Sequence, residues 1–365
     1  MTDEQAIKKT LNIALKGSGN VSPNPRVGAL IMKDDKILSE GAHEYFGGPH
    51  AEVNAISKCT DDELEGSTIY VNLEPCSHHG KTPPCTDLII TKKIARVVIG
   101  TIDPNELMAG KSIEILKNAG IEVESGISVE ACHWVNRFFF KYIQTGFPYI
   151  ILKVAQSLDG VIALKSGVSQ WITCSESRRR SHYLRSIIDA VLVGKNTVLM
   201  DKPALTVRET EGRNPKRVIF DTNLEIPLES PTFQIIDNQE TIVCCSPESY
   251  NSRKANTLKI AKIKVQAVDL DSEGRIDPKQ AISLLAKNFN ICSIMVEGGA
   301  ILYSSFAKNG LIDELHTFIA PKIIGSGINA FSELKIDSLK NSVNFETKLI
   351  SKSGEDIHII SVPKK

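Results

Sequence analysis

Two short stretches of the sequence place three metal-binding side chains and one carboxylate at characteristic spacings. The first is His-Ala-Glu at 50–52, and the second is Pro-Cys at 75–76, followed nine residues later by Cys85. One imidazole and two thiolates form a ligand set that suits zinc, which binds such donors tetrahedrally. Three protein ligands leave the fourth position open, as a catalytic site requires. A structural zinc site is the alternative, but such sites usually have four ligands and paired cysteine knuckles.

Glu52 follows the histidine by two residues, close enough to act on a zinc-bound water without itself being a ligand. Zinc lowers the pKa of bound water to about 7, and a carboxylate can carry the released proton to a ring nitrogen and to leaving ammonia. The pattern His-x-Glu with Pro-Cys-x-x-Cys is the signature of zinc-dependent nucleobase deaminases. The sequence departs from it once, because eight residues separate the two cysteines. We therefore predict His50, Cys76 and Cys85 as zinc ligands and Glu52 as the catalytic residue.

Length and charge limit the remaining possibilities. The 365 residues suffice for two domains, and 43 basic residues balance 43 acidic ones. Zero net charge argues against a broad nucleic-acid surface. The polar N-terminus does not suit a signal peptide, and no apolar run approaches the roughly 20 residues of a membrane span. We expect a cytoplasmic protein with no nucleic-acid or membrane partner, whose eight cysteines are thiols or ligands rather than disulfides.

Strand and helix patterns alternate in the first part of the chain, which predicts a layered α/β domain over residues 1–146. Cys76 directly follows a predicted strand at 67–73, and open α/β sheets place their chemistry at such strand ends. An aromatic run predicts one helix over 130–143. The break at Thr-Gly-Phe-Pro, 145–148, marks the domain boundary, so that the second domain covers 147–365.

The second domain contains continuous apolar strands, which suit a sheet covered on both faces. It has no G-x-G-x-x-G motif, so a Rossmann dinucleotide site is not indicated. Glu-Gly-Gly at 297–299 precedes a predicted helix at 300–308, where exposed backbone N–H groups can hold a pyrophosphate. A plain strand-to-helix turn explains these residues equally well.

The residues around the zinc motif resemble the bifunctional deaminase/reductase family of bacterial riboflavin biosynthesis. The resemblance rests on E-P-C-S-H-H-G-K-T-P-P-C at 74–85 and on S-P-N-P-R-V-G at 22–28. The long gap between the cysteines separates this family from cytidine and transfer-RNA adenosine deaminases. The resemblance implies a cytidine-deaminase-like αβα layered domain that deaminates 2,5-diamino-6-(5-phosphoribosylamino)pyrimidin-4-one. It also implies substrate contacts for Asn24, His78 and Lys81, for which a turn residue and a solvated loop are the alternatives.

Four stretches of the second half, at 153–160, 169–173, 194–208 and 297–299, resemble the reductase half of the same family. The resemblance implies a dihydrofolate-reductase-like α/β domain. It would use NADPH to reduce the ribosyl group of 5-amino-6-(5-phosphoribosylamino)uracil to ribityl. Matching positions imply NADPH contacts for Ala155, Trp171, Thr197, Asp201, Thr222 and Gly299. They imply substrate contacts for Lys153, Ser169, Arg185, Leu205, Arg208 and Glu297.

Physical chemistry supports some of these roles. Arg185 and Arg208 can bind a ribose phosphate through bidentate hydrogen bonds. Lys153 and Glu297 are the candidates for polar groups near the reacting carbon. The basic run Arg-Arg-Arg at 178–180 is predicted to be a solvated helix face. The histidines without a metal-binding pattern are interpreted as structural or surface residues: His43, His133, His182, His316 and His358.

The sequence therefore predicts a two-step enzyme with a zinc deaminase site and an NADPH reductase site. Its partners would be small pyrimidine ribonucleotides, and the resemblance suggests a homodimer or a higher homo-oligomer. Two other interpretations stay open at this point. One is a deaminase of another base or of RNA with a C-terminal binding domain. The other is a non-catalytic, zinc-stapled interaction protein.

Overall fold

The computed structural model describes residues 1–78, 83–106, 108–234, 237 and 239–364. The chain divides into two compact units, Met1–Gly146 and Phe147–Lys365. All eight cysteines have free thiols. Among the described residues, every helix is too short or too polar to cross a membrane.

The first unit is built on a five-stranded sheet with the order β2-β1-β3-β4-β5. β1 is antiparallel to both of its neighbours, whereas β3, β4 and β5 run parallel. Parallel strands bring their carboxyl ends to one edge of the sheet, and the loops that follow them meet there. The strands are β1 (Gly28–Lys33), β2 (Lys36–Ala42), β3 (Thr68–Leu73), β4 (Arg96–Thr101) and β5 (Glu122–Ser125).

Helices cover both faces of this sheet because neighbouring residues of a strand point to opposite faces. Ile31 and Val71 pack with α2, α4 and α5 on one face, while Leu30 and Tyr70 pack with α1 and α6 on the other. The predicted αβα layering is therefore confirmed. The helices are α1 (Asp3–Ala14), α2 (Ala51–Ile56), α3 (Asp61–Leu64), α4 (Cys85–Thr91), α5 (Lys111–Asn118), α6 (Val129–Val135) and α7 (Arg137–Thr145).

The single helix predicted over 130–143 is wrong, because α6 and α7 are separated at Asn136. The Asn136 side chain accepts a hydrogen bond from the Arg26 backbone N–H at 2.7 Å and donates one to the Arg26 carbonyl at 3.0 Å. The buried Asn136 thus pairs with a segment 110 residues away. Periodicity along the chain carries no information about such a contact.

A buried carboxylate, Glu74, lies directly after β3 and organises the loop that follows β4. Its Oε2 accepts hydrogen bonds from the backbone N–H groups of Asp103 and Gly110, at 3.1 and 3.0 Å. Its Oε1 accepts from the backbone N–H and the hydroxyl of Ser112, at 3.2 and 2.7 Å. Because Cys76 is only two residues further on, Glu74 ties the chain leading to that cysteine to the neighbouring loop.

The second unit contains a nine-stranded sheet with the order β11-β10-β9-β8-β12-β6-β13-β16-β15. The strands from β11 to β13 in this order are parallel, and β16 and β15 add an antiparallel edge. β7 and β14 form a separate antiparallel pair. The strands are β6 (Tyr149–Ser157), β7 (Val161–Leu164), β8 (Ala190–Gly194), β9 (Lys216–Phe220), β10 (Thr241–Cys245), β11 (Lys264–Ala267), β12 (Ser293–Val296), β13 (Glu314–Ala320), β14 (Gly327–Asn329), β15 (Phe345–Ser353) and β16 (Asp356–Pro363).

One face of this sheet packs on α12 and α13, whose Leu285 and Phe306 join strand residues such as Val218 and Ile294 in one apolar cluster. The parallel α/β organisation expected of the second half is confirmed. The helices are α8 (Ser175–Ile187), α9 (Lys195–Asp201), α10 (Pro247–Tyr250), α11 (Arg253–Ile260), α12 (Pro278–Phe289) and α13 (Ala300–Lys308).

A chain of polar side chains lies between α8 and the strands β13 and β16. Arg180 Nη1 is 3.3 Å from His358 Nδ1, His358 Nε2 is 3.0 Å from His316 Nδ1, and His316 Nε2 is 2.6 Å from Glu314 Oε1. Because arginine can only donate, His358 Nδ1 accepts and its Nε2 carries the proton. The same reasoning gives His316 its proton on Nε2, which donates to Glu314. The two histidines are thus buried as neutral links rather than surface residues.

Replacing Glu74 with glutamine is expected to lower the free energy of unfolding by about 1–3 kcal/mol, because in either orientation the amide NH2 faces at least one backbone N–H donor that needs an acceptor. Chemical denaturation of the full chain measures the change. Glu106→Gln, an exposed carboxylate of the same loop, is the matched control and should change the stability little. Equal stabilities of the two variants would contradict the role given to Glu74.

The free energy of unfolding should depend on pH because His358 takes up a proton on unfolding. Burial is the largest cause that lowers the pKa of His358 to about 3, and the positive charge of Arg180 acts in the same direction. The unfolded chain takes up this proton near pH 6.5, so stability falls as the pH drops from about 6.5 toward 3, by up to about 1.4 kcal/mol per pH unit.

The test compares His358→Gln, which cannot take up this proton, with the unsubstituted protein. The stability advantage of the unsubstituted protein over the variant should shrink as the pH is lowered from 7 to 4.5. Chemical denaturation midpoints at several pH values measure it. An advantage that stays constant with pH would contradict the assignment.

Two candidate functional sites

Three metal-binding side chains converge at one edge of the first sheet. His50 precedes α2 as its N-cap, Cys76 follows β3, and Cys85 is the first residue of α4. Their donor atoms all lie within 4.8 Å of one another. His50 Nδ1 is 3.4 Å from Cys76 Sγ and 3.3 Å from Cys85 Sγ. Donors of a tetrahedral zinc ion with usual bond lengths would be about 3.6 Å apart, so the three atoms fit this metal.

The two thiols of this cluster differ in their proton affinity. The hydrogen bond from the Cys85 thiol, aided by His50 and the Cys85 backbone N–H, lowers the pKa of Cys76 to about 4. The neighbouring Cys76 and burial raise the pKa of Cys85 well above its usual range. The Cys85 backbone N–H also donates to Cys76 Sγ at 3.3 Å, which favours Cys76 as the thiolate, and zinc binding through both sulfurs would release the Cys85 proton.

Glu52 lies in the first turn of α2 with only 3% of its surface exposed. Burial, together with the negative charge of Cys76, raises the pKa of its carboxyl group to about 7. A carboxyl group that exchanges its proton near neutral pH is suited to general acid–base work.

His43 belongs to this site, although its sequence context suggested no role. Its Nδ1 is 2.9 Å from the Pro49 carbonyl oxygen and its Nε2 is 3.1 Å from Asn24 Nδ2, while its ring packs edge-on against His50. A carbonyl can only accept, so Nδ1 carries the proton and Nε2 accepts from the Asn24 amide. The contact with Nε2 fixes the orientation of the Asn24 side-chain amide. Its Oδ1 is then the atom that can accept a hydrogen bond from a ligand. A histidine seven residues before His50 was the available signal.

The other two predicted residues of this site lie in the loop between the cysteines. His78 is exposed and lies near the half-buried Asp103 carboxyl group. Lys81 lies outside the described residues.

A second group of charged side chains is largely buried in the second unit, where β12 ends beside the middle of β6 and near α8. Arg185 binds Glu297 through two parallel hydrogen bonds, Nε to Oε1 at 2.5 Å and Nη2 to Oε2 at 2.8 Å. Lys153 Nζ lies 3.7 Å from the same Oε2. Three predicted substrate residues are thus brought together from separate parts of the sequence.

Electrostatics keeps this group charged. Burial opposes ionisation of Glu297, but Arg185 and Lys153 outweigh it and hold the pKa of Glu297 at about 2. Burial lowers the pKa of Lys153, an effect that Glu297 partly offsets. A fixed carboxylate between two cations gives the site a defined charge pattern.

The anchor loop, defined as residues 203–208, carries two more predicted substrate residues next to this group. Arg185 Nη1 donates to the Thr206 carbonyl at 3.1 Å, and Arg208 Nη1 donates to the Thr206 hydroxyl at 2.9 Å. Leu205 adopts the left-handed conformation with φ 55°. Nearby, Ser169 donates to Asp201 at 2.9 Å, so a predicted substrate residue touches a predicted cofactor residue.

Four of the six predicted cofactor residues lie along the carboxyl ends of four neighbouring strands. Ala155 is near the end of β6, Thr197 is in the helix directly after β8, Thr222 follows β9, and Gly299 follows β12. Gly299 is the N-cap of α13, no described side chain caps that helix, and no atom lies within 4 Å of where a Cβ would be. The open backbone N–H groups there fit a pyrophosphate.

The prediction of a solvated face for residues 178–180 is wrong for two of the three arginines. The Arg178 guanidinium stacks 4.6 Å above the ring of Trp171, which is itself 63% exposed, and donates to the Thr173 carbonyl. Arg180 binds His358 and the Lys352 carbonyl. Both contacts join residues that lie apart in the sequence, so a count of charges could not reveal them.

Comparison with known proteins agrees with both sites. Residues 1–101 match the cytidine and deoxycytidylate deaminase zinc-binding region, and residues 148–359 match the RibD C-terminal domain. The riboflavin biosynthesis protein RibD of Aquifex aeolicus is 43% identical over 98% of this chain and 97% of its own length. RibD of Escherichia coli is 36% identical over 98% of each.

Solved structures give the same result over the full length. RibD of Acinetobacter baumannii superposes with a TM-score of 0.89 and 34% identity, covering 100% of this chain and 99% of that one. A diaminohydroxyphosphoribosylaminopyrimidine deaminase/5-amino-6-(5-phosphoribosylamino)uracil reductase from Thermotoga maritima has a TM-score of 0.88 and 38% identity, covering 99% of each chain.

These matches support neither an RNA deaminase nor a non-catalytic zinc-stapled protein. They account for both halves of the chain together, including the zinc-binding region and the reductase domain. The chain belongs to the RibD family of bifunctional riboflavin-biosynthesis enzymes, in which a zinc-dependent deaminase is joined to an NADPH-dependent reductase.

Proposed function

We propose that the unit Met1–Gly146 deaminates 2,5-diamino-6-(5-phosphoribosylamino)pyrimidin-4-one and that the unit Phe147–Lys365 reduces the ribosyl group of the product to ribityl. The substrate names follow the Thermotoga maritima relative. The observation that carries the proposal is the convergence of three zinc donors within 4.8 Å in the domain that holds the buried Glu52.

In the first reaction, His50, Cys76 and Cys85 would hold zinc, which supplies Lewis-acid activation of a water nucleophile when bound. Glu52 takes a proton from the attacking water and delivers it to the ring nitrogen. It then supports departure of the exocyclic amine as ammonia, which leaves a carbonyl in its place. The burial of Glu52, which raises the pKa of its carboxyl group, suits a residue that both takes up and gives back a proton.

The substrate-binding residues of the deaminase follow from the hydrogen-bond pattern. Asn24 presents its Oδ1 because His43 engages its Nδ2, so it suits an N–H donor of the pyrimidine. His78 and Lys81 are proposed to bind the remaining polar groups of the nucleotide. The ammonium group of a lysine also suits its phosphate.

In the second reaction, NADPH would supply hydride to the opened ribosyl carbon. Ala155, Trp171, Thr197, Asp201, Thr222 and Gly299 are proposed to hold the cofactor. Lys153 and Glu297 polarise the reacting group. Three of the five Arg185 N–H groups donate to Glu297 and Thr206, so at most the other two remain for substrate. Arg208, Ser169 and Leu205 complete the proposed substrate contacts.

Homo-oligomerisation and a cytoplasmic location are further parts of the proposal. They are supported by the resemblance to bacterial riboflavin enzymes and by cysteines that must stay reduced to bind zinc. Light scattering coupled to size exclusion measures the mass in solution, and a value of one chain would exclude the oligomer.

Replacing Glu52 with glutamine should abolish deamination, by about 10²–10⁴-fold or more, because an amide cannot carry the proton. The variant should retain about one zinc ion per chain by metal analysis. It should also still oxidise NADPH with the pre-deaminated uracil substrate. Ammonia release and NADPH absorbance measure the two activities. Loss of both would contradict independent sites, and wild-type protein without zinc would contradict the deaminase proposal.

In contrast to Glu52→Gln, replacing Glu297 with glutamine should abolish reduction and leave deamination intact. It leaves two buried cations without their carboxylate, which is expected to cost about 3–5 kcal/mol of stability. Glu229→Gln, an exposed carboxylate of the same unit, is the control and should reduce normally. A Glu297 variant with wild-type NADPH oxidation would remove this residue from the site.

A further inference from the structure

The anchor loop 203–208 is held by side chains from several parts of the second unit. Gln239 Nε2 donates to the Leu205 carbonyl at 3.0 Å, and the Val207 backbone N–H donates to Asn214 Oδ1 at 2.7 Å. Arg185 holds the Thr206 carbonyl. Finally, the Arg208 backbone N–H donates to His182 Nδ1 at 3.3 Å.

The loop needs such restraints because its backbone is not relaxed. Leu205 is a γ-branched residue at φ 55°, a conformation that side-chain-bearing residues seldom adopt. Such a conformation persists only where the surroundings impose it, and it occurs often at ligand sites. The orientation of the Arg208 side chain therefore depends on the hydrogen bonds that fix the loop around it.

His182 is placed to supply one of these bonds. It lies on α8 one turn before Arg185, so the two side chains project from the same face of the helix. It is 4% exposed. A backbone N–H can only donate, so Nδ1 of His182 is the unprotonated nitrogen and Nε2 carries the proton. His182 Nε2 lies 4.0 Å from Glu209 Oε1.

The charges around His182 favour the neutral ring. Burial, followed by the positive charges of Arg185 and Arg208, lowers the pKa of His182 to about 4, although Glu209 and Glu297 act in the opposite direction. The ring therefore retains an acceptor on Nδ1 at neutral pH. Because Nδ1 is occupied by the Arg208 N–H, His182 is not placed to transfer a proton to substrate.

We propose that His182 is a positioning residue of the reductase: its Nδ1 holds the Arg208 backbone N–H and thereby directs the Arg208 guanidinium toward the phosphate of the substrate. The inference rests on the proposed reductase function and adds to it a residue that touches neither substrate nor cofactor. α8 then serves the site twice, because Arg185 holds Glu297 and the loop carbonyl while His182 holds the loop N–H.

The test uses three variants of the full-length protein. His182→Leu removes the acceptor with a side chain of similar apolar bulk. His182→Asn keeps an oxygen at the position of Nδ1, whereas His182→Gln places its oxygen near the position of Nε2. Steady-state reduction is measured with the phosphorylated uracil substrate and with the same compound lacking its phosphate.

The Leu and Gln variants should raise KM for the phosphorylated substrate about tenfold or more with a smaller change in kcat, and Asn should recover most of the loss. All variants should match the wild type on the dephosphorylated compound, and their dissociation constants for NADPH should be unchanged. In an Arg208→Ala background, His182→Leu should have no further effect, because the two residues act through one contact.

Equal losses on both compounds would assign His182 a general structural role and overturn the proposal, as would wild-type kinetics of the Leu variant. If the Leu variant does not fold, judged by its loss of NADPH binding, the comparison of Asn with Gln decides, and equal behaviour of those two overturns the proposal. Failure of the proposed function is recognised separately, since the wild-type protein would then not oxidise NADPH with the uracil substrate.

Discussion

Carboxylates buried directly after parallel strands shape both units, because a buried charge must be met by donors or by opposite charges. Glu74 follows β3 and collects four hydrogen bonds from the loop after β4. Asp221 follows β9 and accepts the N–H groups of Glu225 and Ile226 at 2.9 Å. Glu297 follows β12 and is met by Arg185 and Lys153. Each carboxylate holds a loop in place at the end of a strand, and loops at strand ends contribute residues to both proposed sites.

The two proposed reactions use buried carboxyl groups in opposite ways. Glu52 is buried beside Cys76, so its pKa rises toward neutrality. Glu297 lies between cations and stays ionised. Environment alone separates a group that exchanges protons from one that holds a fixed negative charge. The same residue type therefore serves proton transfer in one unit and electrostatic organisation in the other.

Sequence reasoning was strongest where the chemistry is local. The spacing of His50, Glu52 and Cys76 predicted the first site, and apolar runs predicted the parallel sheet. Sequence reasoning was weakest where the role of a residue depends on a partner far along the chain. The sequence around His43 offers only its closeness to His50, and that around His182 offers nothing. Their roles follow from which ring nitrogen contacts a carbonyl, an amide or a backbone N–H. The division of α6 from α7 likewise depends on a contact with Arg26.

The polar chain between α8 and the strands β13 and β16 has a consequence for where its protons lie. Arg180 is partly exposed, yet its inability to accept a hydrogen bond sets the proton position on His358, then on His316, and finally the donor that Glu314 receives. The Glu314 carboxylate at the other end can only accept from His316 Nε2, so both ends of the chain impose the same proton positions. A donor near solvent and a carboxylate with 0% exposure thus fix the polarity of every link together.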